Sequence, residues 1–261
     1  MCMHVKSHGK FDVLFLFCLL VFADVITSFK LIPEPVEPLL RPKPGGDGCI
    51  RCAVVGTSGI LNGSKMGEEI DAHDYVFRMN GAITRGYEED VGNRTSVYVH
   101  TAHSITSSLY LLKKYGYKAA PHDEGIKYVL IPEGMRDFQW LDEGGLLSLN
   151  KSFVCLFFAH RFLKSPNLNR TYWAIVRPTN GAFTLFLALH TCDTVDAYGF
   201  ITDDHKKYSN YYVEQLVKTK VIFYANHDYH LERSTWKHLH ESKIIRLYQR
   251  DEPDTKADKL K

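Results

Sequence analysis

Short apolar runs of β character recur along this chain between stretches whose apolar residues fall at helical spacing, and that alternation constrains the fold more than any other feature. Cys52 to Gly56 (CAVVG) reads as a strand, Thr57 to Gly63 as loop, and Lys65 to Ile70 as a helical turn. Further strands are expected at Tyr75–Met79, Ser96–Val99, Tyr128–Ile131, Val195–Gly199, Val221–Tyr224 and Ile244–Tyr248. Helices are expected at Ile105–Tyr115, Gly181–His190 and Leu231–His240, with Pro132 ending one strand and Pro178 preceding a helix. Strands alternating with helices predict one α/β domain, a mostly parallel sheet flanked by helices on both faces. In such sheets ligands bind beyond the carboxyl ends of the strands. The loops after Gly56, Met79, Gly199 and Tyr224 are therefore expected near one another and near a ligand.

The N-terminus has a different character. Lys6 and Lys10 precede a run from Phe11 to Phe29 rich in Leu, Phe and Val, and Lys30 follows it. Its purest stretch, Val13–Ala23, is shorter than the roughly 20 apolar residues that a spanning helix needs. A signal-anchor, a cleaved signal peptide and a buried core helix all fit. The first two agree that the body enters the secretory lumen. On the anchor reading, residues 1–10 are a cytoplasmic tail and 11–29 the span. Residues 30–48, with Pro33, Pro35, Pro38, Pro42 and Pro44 before Gly45, Gly46 and Gly48, form an extended stem. Residues 49–250 are the folded domain, and the polar segment 251–261 is a disordered tail. N-x-S/T sequons at Asn62, Asn93, Asn150 and Asn169 fit a luminal body. So do the cysteines: Cys2 and Cys18 lie in or before the membrane-like segment, leaving Cys49, Cys52, Cys155 and Cys192, an even set, to pair in an oxidising compartment. A zinc site is a poor reading, because Cys49-x-x-Cys52 has no second pair at ligand spacing. A net charge of +2 gives no reason to expect nucleic acid.

Four loops carry residue types that suit chemistry, and each has a bland alternative. Gly56-Thr57-Ser58-Gly59 follows a strand, where glycine lets the backbone approach a ligand and free N–H groups can meet a phosphate. The same composition also makes an ordinary turn. Asn80-Gly81 ends a strand with a carboxamide suited to a pyrimidine or ribose, or simply turns the chain. Thr179-Asn180-Gly181 precedes an apolar helix, so it can cap that helix and can also bind an anion there. His227, with Glu232 on the next helix, offers a base whose pKa a carboxylate could raise, or a helix start capped by Asp228.

Together these segments resemble the animal sialyltransferase family. Cys52 through Ser96 is similar to its large sialylmotif and Arg177 through Ile201 to its small one. Tyr211-Tyr212-Val213-Glu214 resembles the third motif, and His227 to Glu232 the very small motif, H-x-x-x-x-E. Lys237 to Arg250 resembles the branch that sialylates N-acetylgalactosamine at O6. The resemblance implies a Rossmann-like, GT-A-type sheet, CMP-sialic acid as donor substrate, no metal and no other cofactor. It implies a glycoprotein carrying O-linked N-acetylgalactosamine as acceptor, and a single-pass type II protein of the Golgi membrane with its domain in the lumen. By position, Thr57, Ser58 and Asn80 would bind the cytidine nucleotide. Thr179, Asn180 and Gly181 would add the small motif's contacts, with Gly199 and Phe200 lining the pocket. His227 would be the general base, Tyr211 a donor to the leaving phosphate, and Glu232 the motif's carboxylate. Cys52 and Cys192 would form a disulfide. The chain departs from the family at Thr57, where Asn is usual, at Tyr211, where His is frequent, and at Asn180. Asp142–His160 does not resemble the family. An active transferase is thus set against a folded relative that binds CMP or glycoprotein without turnover.

Overall fold

The computed structural model describes residues 38–133, 137, 163–171, 173–216 and 219–250. Its strands are β1 (Arg51–Val55), β2 (Tyr75–Met79), β3 (Val97–His100), β4 (Lys127–Leu130), β5 (Thr194–Tyr198) and β6 (Arg246–Leu247). Its α-helices are α1 (Gly67–Asp71), α2 (Glu88–Val91), α3 (Ala102–Leu111), α4 (Asn180–Thr191) and α5 (Tyr229–Glu241). The strands form one sheet in the order β4-β3-β2-β1-β5-β6, every neighbouring pair parallel.

Side chains alternate across a strand, so β1 serves two cores at once. Cys52 and Val54 join Phe77, Met79, Val97 and the apolar side of α4 on one face. Ala53 and Val55 join Ile60, Leu61, Ile70 and Val76 on the other. A parallel sheet covered on both faces needs strands that are apolar throughout, which is why β1 reads as a continuous run. Helix α4 is apolar around most of its surface because it lies over β2, β1 and β5. Helix α5 sends one large anchor inward, the buried Trp236, whose ring lies 5.8 Å from Phe186 and 6.0 Å from Phe200. Helix α3 starts at a capping box, Thr101 Oγ1 taking the Ser104 N–H and Ser104 Oγ taking the Thr101 N–H, each at 2.9 Å.

A disulfide joins Cys52 on β1 to Cys192, the residue after α4, with Cα atoms 6.1 Å apart. It is the pairing that the resemblance implied. Cys49 is a free, exposed thiol, and Cys155 lies outside the described residues.

Two expectations are corrected. Val221–Tyr224 is not a strand: it pairs with no strand of the sheet, β6 is the neighbour of β5, and the segment lies largely exposed. The expected strand Ile244–Tyr248 contracts to Arg246–Leu247. The proposed tail and span, the stem up to residue 37, the segment Asp142–His160, Asn150 and the tail 251–261 all lie outside the described residues. Among the described residues no helix is long and apolar enough to cross a membrane.

Candidate active site

From β1 the chain proceeds to β2 on one side, whereas β5 pairs on the other. The loops leaving β1 and β5 therefore part, and the gap at their carboxyl ends is where such sheets bind ligands. A cleft of about 820 Å³ opens there, and every loop that the sequence placed near a ligand lines it.

Its first wall is made of backbone. Gly56 donates its N–H to Tyr198 O at 2.7 Å, and Ser58 donates to Gly199 O at 3.1 Å. A Cβ on Gly56 would sit 2.5 Å from the Gly199 carbonyl oxygen. Gly199 has φ +68°, and a Cβ there would come within 2.9 Å of Gly56 O. Each glycine is thus required by the other. Thr57 is fixed by its carbonyl, which accepts from Tyr212 N at 3.0 Å, and Gly59 donates to Ser209 O at 3.1 Å. Asn80, at the end of β2, has φ +55°, a left-handed conformation that asparagine tolerates. Its Oδ1 accepts from Asn180 Nδ2 at 2.7 Å. The pair leaves the NH2 group of Asn80 and the carbonyl oxygen of Asn180 to suit a ligand. Arg78, just before them, is buried and structural, donating to Val91 O at 2.6 Å and Arg94 O at 2.9 Å.

Thr179 caps α4, its Oγ1 accepting from Ala182 N at 3.1 Å. The first-turn N–H groups that no intrahelical acceptor reaches suit an anion. A Cβ on Gly181 would stand 3.3 Å from Thr179 Oγ1 and 3.5 Å from the Phe200 ring, so glycine keeps this turn close.

The second wall is made of side chains. His227 Nδ1 lies 2.9 Å from Arg177 O. A carbonyl only accepts, so Nδ1 carries the proton and Nε2 the lone pair. Burial pushes the ring down to about 4, leaving a neutral imidazole over the whole neutral and mildly acidic range. Glu232 is buried, and burial pushes its carboxyl up to about 7 against the pull of two bonds from Thr179. Those bonds run from Thr179 N to Oε1 at 2.7 Å and from Thr179 Oγ1 to Oε2 at 2.6 Å. In the sequence Glu232 stands as a carboxylate that could raise the His227 pKa; in the structure it bonds the α4 cap, and the partner of His227 Nδ1 is a backbone carbonyl. Tyr211 lines the cleft, and burial raises its hydroxyl pKa, which keeps it a donor.

The chain matches the profile of glycosyltransferase family 29 (sialyltransferase) over residues 6–145 and 145–244. The chain belongs to that family. This family 29 chain is 43% identical over 251 residues to the alpha-N-acetylgalactosaminide alpha-2,6-sialyltransferase 1 of Gallus gallus, covering 85% of this chain and 44% of that one. It is 42% identical over 257 residues to the sialyltransferase 2 of the same name from Mus musculus, covering 88% and 68%. The crystal structure of a mammalian sialyltransferase superposes with a TM-score of 0.62 at 26% identity, over 88% of this chain and 79% of that one. The chain spans less than half the length of the Gallus gallus relative.

Several residues of this family 29 cleft were missed in the sequence. His205 lines it, its ring stacked 5.6 Å from Phe223, which in turn stacks 4.8 Å from Tyr229. His227 meets Tyr229 edge-on at 5.7 Å. This row of rings holds 221–224 beside His227, although the composition of that segment reads as a strand. Arg177, quoted only as the start of a motif, lines the cleft and pairs with Glu133. No spacing in the sequence links those two. Among the described residues no group of three or more His, Cys, Asp or Glu is placed to hold a metal ion.

Proposed function

We propose that this chain is an inverting sialyltransferase that moves sialic acid from CMP-sialic acid to O6 of O-linked N-acetylgalactosamine on glycoproteins. One observation carries the reading: a capped helix start, an Asn80–Asn180 amide pair and a histidine with its Nδ1 proton engaged all face one cleft. The first two suit a nucleotide and its phosphate, and the third suits removal of a hydroxyl proton. The names of the N-acetylgalactosaminide relatives support the acceptor.

In this mechanism His227 Nε2 takes the proton of the acceptor hydroxyl as its oxygen attacks the anomeric carbon. The bond from that carbon to the phosphate oxygen breaks, CMP leaves with the electron pair, and the configuration inverts. The first turn of α4 and the Tyr211 hydroxyl meet the charge gathering on the phosphate. Thr57, Ser58, Asn80, Asn180 and Gly181 hold the nucleotide, and Gly199 and Phe200 shape the pocket. The leaving group arrives already activated as a phosphate ester, so the chemistry asks for no metal. The domain works in the Golgi lumen behind a type II anchor at 11–29. Asn93 and Asn169 are exposed and suit glycan attachment, whereas Asn62 is half-buried.

The test is incubation of the luminal part, Lys30 onward, with CMP-sialic acid and an O-glycosylated acceptor in EDTA, with sialylated product read by mass. Product in EDTA is the expected result. CMP binding without product would replace the reading with that of a non-catalytic relative.

A further inference from the structure

The loop that carries His227 is held from two sides. On one side, Asp228 accepts from Ser165 Oγ at 2.6 Å and from Leu231 N at 3.0 Å. On the other, the bonds converge on one residue, Arg177. Its N–H donates to Asn226 O at 2.9 Å, and its carbonyl takes the His227 Nδ1 proton at 2.9 Å. Arg177 precedes Pro178, which confines its backbone to extended conformations and so limits where that carbonyl can point. What keeps Arg177 from sliding is its side chain. The half-buried guanidinium pairs with Glu133, which stands just beyond β4. Glu133 N donates to Asp137 Oδ2 at 3.0 Å, and Asp137 Oδ1 accepts from Ala102 N, at the start of α3, at 2.8 Å. A continuous path of bonds therefore runs from α3 and the end of β4, through Glu133 and Arg177, to the imidazole.

Resting on the function proposed above, we propose that Glu133 and Arg177 are positioning residues for the transfer: their ion pair fixes the carbonyl that selects the Nδ1–H tautomer of His227 and leaves Nε2 free in the cleft. The tautomer of a histidine is set by the bond that its other nitrogen makes. A shift of that carbonyl would misplace the base without emptying the nucleotide wall. Removing the Glu133 charge leaves the half-buried guanidinium with Asp137 as its remaining counter-charge, so Arg177 would shift toward it or toward water.

The experiment compares wild type with Glu133→Gln and Arg177→Lys. Thermal melting reports folding, steady-state kinetics give kcat and the CMP-sialic acid KM, and NMR of nitrogen-labelled histidine reads the His227 tautomer. For Glu133→Gln, kcat should fall roughly 10- to 100-fold, the penalty of a slightly misplaced catalytic group. The donor KM should stay within about threefold, since ground-state binding is spared. The Nδ1–H signature of wild type should give way to a mixture. Arg177→Lys should lie between the two, keeping the charge without the planar fork. An unchanged tautomer in both variants, or wild-type kcat in Glu133→Gln, would overturn the proposal. If Glu133→Gln does not fold, Arg177→Lys decides on the same readouts. If wild type transfers no sialic acid, the proposed function fails, and the tautomer comparison still decides whether the brace exists.

Discussion

The two walls of the cleft are built by opposite means. The wall at Gly56, Thr57 and Gly199 is backbone held by backbone, with glycines packed where no side chain fits. The wall at His227 is side chains held by partners far along the chain: Arg177 is 50 residues away, and the Thr179–Glu232 and Ser165–Asp228 contacts span 53 and 63. The first wall can be changed only by disturbing the sheet. The second can be altered chemically while the fold persists. On the function proposed above, the site binds one fixed ligand and moves a proton, and it gains from both kinds of construction: rigidity where shape is read, and an adjustable polar network where charge moves.

The largest expected effect lies in the second wall. His227→Ala should lower kcat about 10²- to 10⁴-fold, the usual worth of a general base. Melting temperature and CMP binding should stay close to wild type. If CMP binding falls in parallel, the walls are not separable. In the first wall, Gly199→Ala forces a side chain into a left-handed conformation and against Gly56 O, costing about 2–4 kcal/mol. Here chemical denaturation and CMP affinity should suffer together. A stable Gly199→Ala with wild-type affinity would break the comparison.

Smaller effects come from titration. Glu232 has a folded-state pKa near 7 against an ordinary value of 4.5. The folded protein holds that proton where the unfolded chain has already lost it. This contribution to stability is therefore complete below about 4.5 and is lost as pH rises through 7. Relative to wild type, Glu232→Gln should gain stability across that window, by melting curves at stepped pH; a constant difference would mean that the buried carboxyl does not titrate there. The smallest effect concerns the base. Because His227 is pushed down to about 4, the acid limb of the kcat profile should lie well below the ordinary histidine value of 6.5. A limb at 6.5 would mean that the ring is wet and the second wall looser than described.

The two walls also differ in how far they could be read in advance. Strand ends, the Gly and Asn loops and the capped helix at Thr179 are local patterns, so the loops that form the first wall of the cleft were legible almost residue by residue. Val221–Tyr224 was misread because Val, Ile, Phe and Tyr suit a strand, yet strand formation also needs a paired neighbour, and this segment instead lines the cleft with Phe223 stacked on Tyr229. Glu232 was singled out, but its partner was not: it stands close to His227 in sequence, while the fold hands it to Thr179. Glu133 carried no signal at all, since an ion pair 44 residues apart has no period.

The Cys52–Cys192 bridge makes a covalent ring, and the cleft is shared between that ring and the chain that leaves it. Thr57, Ser58, Asn80, Thr179 and Asn180 lie inside the ring, whereas Gly199, Tyr211, His227 and Glu232 lie on the strand of chain that leaves it. A protease that nicks the backbone anywhere between residues 53 and 191 therefore yields two pieces that travel as one until a reductant is added. A cut between Cys192 and His227 leaves the histidine-bearing piece with no covalent tie to the remainder, held by packing alone.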